Sequence, residues 1–441
     1  MVKLMVSAPI AGVAGCGSDG SSGRTLPLRV IDRDVCVLGA GASGMYATMR
    51  LRDLGHSVVV VEKSDRVGGH AYTYRDPDGN GSQEMGVRIY PGIPIIKDTF
   101  SRFGIPLKKI DLATFGRKYI DIRTGMESAY KDPDPLQTFG SLTQYGLLLR
   151  TKYAYLFKEG YQLPAQVPDD ILQPFGDFLK ANQLNEGYAP VTHYLQGFGP
   201  VRKIPTLYAL KNMRPDVSES ILFGNFYTPI NGCSALYETM AQQLGDNVVL
   251  NAKLGAVIRK DDGRVEVTVT TPGETVRITA GKLIVSFPPL LKALQAFDLK
   301  AEEKAIFGKL KSSYYWTALV RVKGLPPATV LFNVAGTDVL TGQQFPGMYT
   351  AVPTPIPDVW NILFGSETDL TDDEVKARIT TDLERMSDKF ANTKVTVSGF
   401  PKFLNHASFG ITVDVDDIRD GFYDKLLQLQ GKRNTLYRGR R

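Results

Sequence analysis

The hydrophobic pattern of residues 33–70 predicts a strand, a helix and a second strand in close succession. Residues 35–38 are a short apolar run with the length and composition of a buried parallel strand. In the helix that follows, apolar residues recur on one face until Gly55 ends the pattern. The second strand covers residues 57–61. This order predicts a parallel βαβ unit near the start of the chain.

A long helical and aromatic segment comes next, over residues 98–222. Apolar residues recur at helical spacing over residues 147–157 and 171–179. Two interpretations of its aromatic residues stay open: an ordinary helical core, or a lid over an apolar chamber. The residues concerned are Tyr153, Tyr155, Phe157, Tyr161, Tyr188, Tyr194 and Phe198. His193, in the same segment, has no companion at metal-ligand spacing, which favours a structural histidine.

The second half of the chain is mostly strands. A helix is predicted at residues 236–244 with Ser234 as its N-cap, and another at residues 372–390, where Thr371 precedes three acidic residues. The predicted strands are residues 248–250, 256–260, 265–270, 275–279, 282–287, 314–322, 347–352 and 360–364.

Three glycines give the first βαβ unit a chemical meaning. Gly39, Gly41 and Gly44 have G-x-G-x-x-G spacing between the strand and the helix. The first allows a tight turn, the second lets backbone approach a pyrophosphate, and the third lets the helix pack close to the strand. The helix N-terminus offers unpaired N–H groups and about half a positive charge to phosphates. Glu62 follows the second strand, where a carboxylate can accept hydrogen bonds from a ribose and would repel a 2′-phosphate.

The continuation of this unit separates FAD from NAD. Residues 66–70 read Arg-Val-Gly-Gly-His, and the glycine pair lets the chain run along the far side of an extended dinucleotide. G-x-G-x-x-G, a glutamate after the second strand and then R-x-G-G resemble the flavin amine oxidase superfamily of FAD-dependent oxidoreductases. The resemblance implies FAD as the cofactor. In many members an arginine stands at the position of His70.

The resemblance also implies which residues contact FAD. An acidic-x-Gly segment would bring Gly86, Val87 and Arg88 to the isoalloxazine ring, and a second FAD segment would place Leu254 against the adenine. No metal site is predicted. The full set of predicted FAD contacts is Gly39, Gly41, Ala42, Ser43, Gly44, Glu62, Lys63, Gly68, Gly69, His70, Gly86, Val87, Arg88 and Leu254.

The predicted fold class is α/β. A Rossmann-like FAD-binding domain is discontinuous over residues 31–97, 223–297 and 401–441, and an α+β substrate domain is inserted as residues 98–222 and 298–400. Residues 1–30 are predicted to be a leader and linker. One lysine, an apolar stretch and Cys16 resemble an export signal, and a misassigned start codon or a disordered leader explains the same residues. Localisation stays open between the cytoplasm and export.

Composition and charge argue against nucleic-acid binding and against a membrane-spanning segment. The chain has 441 residues, a net charge of +6 and no basic stripe with interleaved aromatic residues, so nucleic-acid binding is not predicted. No apolar run approaches the roughly 20 residues of a membrane span. The oligomeric state is not determined by these features.

Within the superfamily, the sequence resembles the subgroup that contains FAD-dependent polyunsaturated fatty acid isomerase and fungal β-cyclopiazonate dehydrogenase. The residues that carry this likeness are Glu84-Met85-Gly86, Gly197-Phe198-Gly199, Pro205, Tyr208-Ala209-Leu210-Lys211 and residues 429–437, Leu-Gln-Gly-Lys-Arg-Asn-Thr-Leu-Tyr. The likeness implies an apolar small-molecule substrate and hydride removal from a carbon beside a π-system.

Three functions follow from this likeness. The first is a dehydrogenase of the β-cyclopiazonate dehydrogenase type acting in secondary metabolism. The second is a double-bond isomerase of unsaturated fatty acids. Two roles stay open for Arg88: pairing with the carboxylate of such a substrate, or a surface ion pair. The third is a non-catalytic remnant, because family members continue from Tyr-x-Gly into a segment that closes over the flavin, whereas Arg440-Arg441 follow here. No catalytic residue is assigned.

Overall fold

A computed structural model describes residues 26–110, 115–158, 160–184, 195–260, 263–338, 342–391 and 393–438. Most of the predicted leader, His193, Tyr188, Tyr194 and the final three residues lie outside these ranges.

The described chain contains runs of strands and runs of helices in its first half and is richer in strands in its second half. The strands are β1 (Leu28–Leu38), β2 (Val58–Val61), β3 (Ala71–Arg75), β4 (Ser82–Gly86), β5 (Tyr90–Pro91), β6 (Leu107–Lys109), β7 (Gly116–Asp121), β8 (Met126–Glu127), β9 (Phe226–Pro229), β10 (Val248–Val249), β11 (Lys253–Arg259), β12 (Val265–Thr270), β13 (Thr275–Val285), β14 (Lys311–Ser312), β15 (Tyr314–Lys323), β16 (Thr329–Asn333), β17 (Gly347–Pro353), β18 (Val359–Ser366), β19 (Thr396–Asn405), β20 (Ile411–Thr412) and β21 (Thr435–Tyr437). The α-helices are α1 (Ala42–Asp53), α2 (Pro94–Arg102), α3 (Pro135–Thr151), α4 (Asp169–Leu172), α5 (Phe175–Ala181), α6 (Thr206–Asn212), α7 (Pro215–Leu222), α8 (Ser234–Leu244), α9 (Ala301–Phe307), α10 (Asp372–Glu384), α11 (Val415–Arg419) and α12 (Phe422–Gln428).

The first sheet has the strand order β10-β2-β1-β13-β12-β11, and β21 also pairs with β13. β1 is parallel to both β2 and β13, whereas β12 is antiparallel to β13 and β11. Leu38, the last residue of β1, is in register with Val61 and with Val285. The carboxyl ends of three parallel strands therefore lie side by side, which is where open α/β sheets bind ligands.

Both faces of this sheet are covered, as the continuous apolar runs require. Val35 and Val37 point to one side and pack with Met45 of α1 and Met240 of α8. Cys36 and Leu38 point to the other side, into a larger core shared with the helical segment. The alternation of side chains along β1 thus joins two cores through one strand.

The second sheet has the order β19-β15-β18-β17-β16-β7-β8 and is antiparallel except for the β16–β7 pair. One face packs against α10, whose Val375, Ile379 and Leu383 recur at helical spacing and are fully buried. Thr371 caps this helix by accepting the Glu374 N–H, as the sequence predicts.

The predicted α/β class is confirmed, and several element predictions need correction. β1 begins at Leu28, inside the predicted leader, because it stays in register with β13 from that residue onward. β13 is one strand, where the sequence predicted two. Ser234 is not the N-cap of α8: it is the first helical residue, and its hydroxyl accepts the Thr73 N–H at 2.9 Å. The predicted boundary at residues 400/401 falls inside β19, which pairs with β15.

A buried ion network joins β11 of the first sheet to β21 and to α9. The Arg259 side chain is fully buried; its Nε donates to Asp298 at 2.7 Å and its Nη2 to Glu303 at 2.9 Å. Its Nη1 also donates to the Tyr437 hydroxyl at 2.9 Å, which ties β11 to the last described strand. Burial alone would raise the pKa of Glu303, but hydrogen bonds from Arg259, from the Lys300 N–H and from Tyr437, together with the charge of Arg259, outweigh burial, so the pKa is lowered.

We expect Arg259→Met to lower the free energy of unfolding by about 3 kcal/mol near neutral pH, because the buried Glu303 carboxylate loses its closest ion-pair partner and keeps only Arg433, at 3.5 Å. A carboxylate with a lowered folded-state pKa stabilises the fold above its ordinary pKa, and this contribution is lost as the pH falls through the folded value. The difference in the free energy of unfolding between the variant and the parent chain should therefore narrow below pH 4.5, the ordinary pKa of the Glu303 carboxyl group. Urea denaturation at neutral and acidic pH measures it.

Arg277→Met is the matched control, since Arg277 forms a half-exposed pair with Glu266 at 3.8 Å. Its expected cost is below about 1 kcal/mol. Equal losses for the two variants would contradict the role given to the Arg259 network.

Candidate active site

One cavity of about 2450 Å³ runs from the carboxyl ends of the parallel strands to the second sheet. Pockets for a single drug-sized ligand have volumes of roughly 300–1,000 Å³. The cavity therefore has room for a dinucleotide and a second molecule.

The turn after β1 is shaped by close backbone approaches. The Gly39 N–H donates to the Val61 carbonyl at 2.7 Å, and Gly39 has a φ of +102°. A Cβ on Gly44 would lie 2.0 Å from the Gly39 carbonyl oxygen, so only glycine lets α1 start this close to the strand. The Ser286 hydroxyl, at the end of β13, lies 2.8 Å from that same oxygen. The ends of β2 and β13 are therefore both hydrogen-bonded to the turn that follows β1.

The N-terminus of α1 opens onto the cavity. Its N-cap is Gly41, which has no side chain to accept the first N–H groups of the helix. Gly41, Ala42 and Ser43 line the cavity, whereas Gly44 lies behind them against the strand. The helix end therefore presents N–H groups and a partial positive charge, which suit an anion such as a pyrophosphate.

Glu62 is buried at the wall of the cavity. One carboxylate oxygen accepts the Ala40 N–H at 2.8 Å and the other accepts the Ser64 N–H at 2.9 Å. These bonds fix the carboxylate, and each oxygen keeps a second lone pair for a hydroxyl donor. Lys63 and Leu254 line the cavity beside it, and the Ala252 N–H donates to the Glu62 carbonyl at 2.9 Å. This end fits a ribose and a base.

The Gly68-Gly69 loop lies against the start of α1. The Gly68 N–H donates to the Ala40 carbonyl at 2.8 Å. Arg66 holds the other side of the loop by donating to the Gly69 carbonyl at 2.8 Å, while its guanidinium lies over the Tyr72 ring at 4.5 Å. Burial lowers the pKa of Arg66. Arg66 was part of the sequence motif but was not predicted as a site residue, and its contacts make it a clamp on the loop.

Two histidines meet farther along the cavity. The His70 and His406 rings have centroids 4.4 Å apart, and His70 also stacks on Phe409 at 5.5 Å. The Val87 N–H donates to the His70 carbonyl at 3.2 Å, which brings residues 86–88 beside the pair. No spacing in the sequence signals the approach of His406, because 335 residues separate it from His70 (406 − 70 − 1).

Arg88 is a largely buried cation at the wall of the cavity. Its side chain lines the cavity, and within residues 26–438 as described it forms no hydrogen bond or ion pair. Burial lowers the pKa of Arg88, and the charge of Glu84 opposes that effect. Glu84 itself accepts the Cys233 N–H at 3.1 Å, and burial raises its pKa. Arg88 is therefore available to an anionic group of a ligand.

Beyond these residues the cavity becomes an apolar chamber between α3, α7 and the second sheet. The helices contribute Phe139, Leu142, Ile221 and Leu222, and the sheet contributes Tyr315, Val330, Phe332, Val352 and Leu363. The aromatic residues that the sequence suggested for a lid serve the helical core instead: Tyr153 and Phe198 are buried, and Tyr155, Phe157 and Tyr161 pack against that core.

Of the fourteen predicted contacts, all except Gly44 line this one cavity. The sequence prediction missed Ser286 and His406. Ser286 had a usable signal, because it lies near the carboxyl end of the strand predicted at residues 282–287, and that end belongs at the same sheet edge. The residues fit FAD: an uncapped helix end for the pyrophosphate, a fixed carboxylate for the ribose, and a continuous wall toward residues 86–88.

Other site classes find little support in the described ranges. No group of three or more metal-ligating side chains is gathered there. Among the described helices, none combines the length and the hydropathy needed to span a bilayer.

Comparisons with known proteins point in one direction. The family model described as flavin containing amine oxidoreductase matches residues 42–409. The chain is 33% identical to FAD-dependent oxidoreductase dpasF of Apiospora sacchari, covering 100% of this chain and 94% of that protein. It is 32% identical to beta-cyclopiazonate dehydrogenase of Aspergillus oryzae, covering 93% and 88% respectively. A solved structure of a CLA-producing fatty acid isomerase from P. acnes has a similar fold, with a TM-score of 0.73 and 23% identity over 92% of this chain and 93% of that one.

We expect Gly41→Ala to weaken FAD binding by roughly tenfold or more, because backbone must approach the pyrophosphate closely at this position. The fold should tolerate the change: Gly41 has a φ of −74°, and a Cβ there would come no closer than 3.9 Å to the nearest atom outside its immediate chain neighbours. Titration of the apoprotein with FAD, followed by flavin fluorescence, measures the dissociation constant.

Gly273→Ala is the control, since a Cβ at Gly273 would meet nothing within 4 Å. Far-UV circular dichroism checks that both variants fold. A folded Gly41→Ala variant with unchanged FAD affinity would show that the dinucleotide does not pass over this turn.

Proposed function

The chain belongs to the flavin containing amine oxidoreductase family, and on that basis we propose that it is a dehydrogenase that removes a hydride from a lipophilic small molecule. The resemblance seen in the sequence is confirmed, as is FAD as the cofactor. The chain is an FAD-dependent oxidoreductase. What we propose is the class of substrate and the transfer of its electrons to an external acceptor.

The observation that carries the proposal is the change of lining along the cavity. Its first part has an uncapped helix end and a carboxylate, and its second part is lined by aliphatic and aromatic side chains. A lipophilic molecule would bury its surface in that second part at about 25 cal/mol per Å². The name of the relative from Aspergillus oryzae describes a dehydrogenase, and we extend that reaction type, with a role in secondary metabolism, to this chain.

The tasks of the chain follow from the geometry. Bound FAD supplies the hydride acceptor. Gly41, Ala42 and Ser43 would hold the pyrophosphate, Glu62 the ribose, and residues 86–88 the flavin end. Leu142 and Leu363, on opposite walls of the chamber, would keep the reacting carbon out of water. Positioning of this kind supplies much of the rate in cofactor enzymes.

A second function, double-bond isomerisation of an unsaturated fatty acid, is favoured by one observation. Arg88 lines the cavity and is free of hydrogen bonds and ion pairs with the described side chains. A guanidinium in that setting can bind a carboxylate through two parallel hydrogen bonds. An isomerase would return the hydride to another carbon of the same molecule, so it would need no external acceptor.

We expect the purified chain to bind FAD and to show the visible absorption bands of oxidised flavin. With a substrate of the proposed class, the bands should bleach without air and recover with an added electron acceptor, which is consumed in step with product. A dehydrogenase needs this acceptor because the hydride leaves the substrate permanently.

Product formation without acceptor consumption would contradict the dehydrogenase and support the isomerase. A chain that stays colourless with added FAD would contradict both functions.

We expect Arg88→Gln to weaken the binding of oleic acid by roughly 10–100-fold, because a hydrogen bond to a charged group contributes about 1.5–3 kcal/mol. The binding of oleyl alcohol, which has the same chain without the carboxylate, should change little. Perturbation of the flavin spectrum by each ligand measures the two dissociation constants.

The FAD content of each sample is measured alongside, so that a loss of cofactor is separated from a loss of carboxylate recognition. Equal weakening for the acid and the alcohol would show that Arg88 does not read the carboxylate. The dehydrogenase proposal would be unaffected by that result.

A further inference from the structure

Exposed apolar side chains surround the opening of the cavity. Phe223 is 67% exposed, Ile230 57%, Phe139 47% and Phe115 39%, and all four line the cavity. Leu142, which lies one turn beyond Phe139 on α3 and lines the same cavity, is 3% exposed. The exposed residues therefore mark the opening rather than the interior. Single exposed apolar residues are ordinary, but a contiguous group of them indicates a binding surface.

The contacts of neighbouring elements bring these residues together. Phe223 follows α7, which packs against α3, the helix that carries Phe139. Ile230 follows β9, and its N–H donates to the Pro106 carbonyl at 3.0 Å beside β6. α7 also contacts β5, which pairs with β9, so one rim links α3, α7, β9 and β6.

Positive charge lies on the same rim. Lys108, Lys109 and Arg117 are exposed and line the cavity. In the part of the chain that the structure describes, none of their three side chains forms an ion pair or a hydrogen bond. Two acidic residues precede α3, but both are engaged: Asp132 accepts the Tyr119 hydroxyl, and Asp134 accepts two N–H groups of the helix.

We propose that this rim docks on the surface of an anionic lipid bilayer. The docking rim is defined as Phe115, Phe139, Phe223, Ile230, Lys108, Lys109 and Arg117. Its apolar side chains would enter the boundary between headgroups and acyl chains, and its cations would pair with lipid phosphates. Binding of this kind is peripheral and needs no membrane-spanning helix.

Charge favours a bilayer over a second copy of the chain. A symmetric dimer through the rim would bring the same unpaired cations of two copies together, and such like-charge contacts cost free energy. An anionic bilayer complements the cations and covers the apolar side chains at the same time.

The inference goes beyond the proposed reaction and does not depend on it. It would give a lipophilic molecule a direct path from the bilayer into the chamber, because the docking rim surrounds the opening. Vesicle binding is measured without any substrate, so its failure would leave the dehydrogenase proposal standing.

The test is co-sedimentation of the FAD-loaded chain with phosphatidylcholine vesicles and with vesicles that also contain phosphatidylglycerol, at low and high salt. We expect binding to the anionic vesicles that weakens with salt. Lys108→Gln/Lys109→Gln should lower the partition coefficient by roughly 30-fold, and Phe223→Ser/Ile230→Ser by roughly 100-fold.

Matched controls remove the same groups elsewhere. Lys304→Gln/Lys394→Gln removes two exposed charges away from the cavity. Leu54→Ser/Met126→Ser removes two apolar side chains that are 69% and 58% exposed and do not line it. Both controls should bind vesicles as the parent chain does, and flavin absorbance confirms that every variant is folded.

Three outcomes would overturn the proposal. The first is the absence of binding to either kind of vesicle. The second is binding that the rim variants weaken no more than the controls. The third is a dimer, detected by light scattering, that Phe223→Ser/Ile230→Ser dissociates, since the rim would then be an interface between copies of the chain.

Discussion

The parallel pairing of β1 with both β2 and β13 is the constraint on which the rest of the site depends. Because strands in this arrangement end at one edge, the turns after all three strands meet. Gly39, Glu62 and Ser286 follow the three strands in turn, and each makes hydrogen bonds to the backbone of this edge. A shift of one residue in either pairing would turn these side chains to the opposite face.

The same groups serve the fold and the ligand. Glu62 accepts two backbone N–H groups, so its carboxylate is already oriented for the ribose that we propose it binds. Arg66 fixes the Gly68-Gly69 loop by donating a hydrogen bond to the Gly69 carbonyl. Such preorganisation lowers the conformational entropy that binding would otherwise cost. The two hydrogen bonds that Glu62 accepts also compensate the desolvation of its buried carboxylate.

The chamber beyond the cofactor segment is built from distant parts of the chain. Its helical wall comes from residues between 135 and 222, and its sheet wall from residues between 314 and 366. The helical segment shares a core with the first sheet, and the second sheet packs one face against α10, so the cavity lies between these two bodies of packed elements. In the proposed function, that lining selects the substrate, whereas the edge of the first sheet holds the cofactor.

The amino-acid sequence alone predicted the βαβ unit, the cofactor and thirteen residues that line the cavity. It could do so because each signal is local: glycine spacing, strand length and a carboxylate directly after a strand act within about 35 residues. It also determined the start of α10, where a capping box lies within four residues. The continuous strand β13 was not visible locally, because its middle is held by pairing with β1, about 245 residues earlier.

The other features of the site follow from tertiary contacts, which the sequence does not show. The pairing of His70 with His406, the position of Ser286 and the choice of which apolar residues line the chamber all depend on contacts between distant segments. Aromatic residues of the helical segment read alike in sequence, yet Tyr153 belongs to the core and Phe139 to the cavity. Packing decides between these two places, because it is the approach of a second surface, and not hydrophobicity alone, that makes an apolar side chain buried.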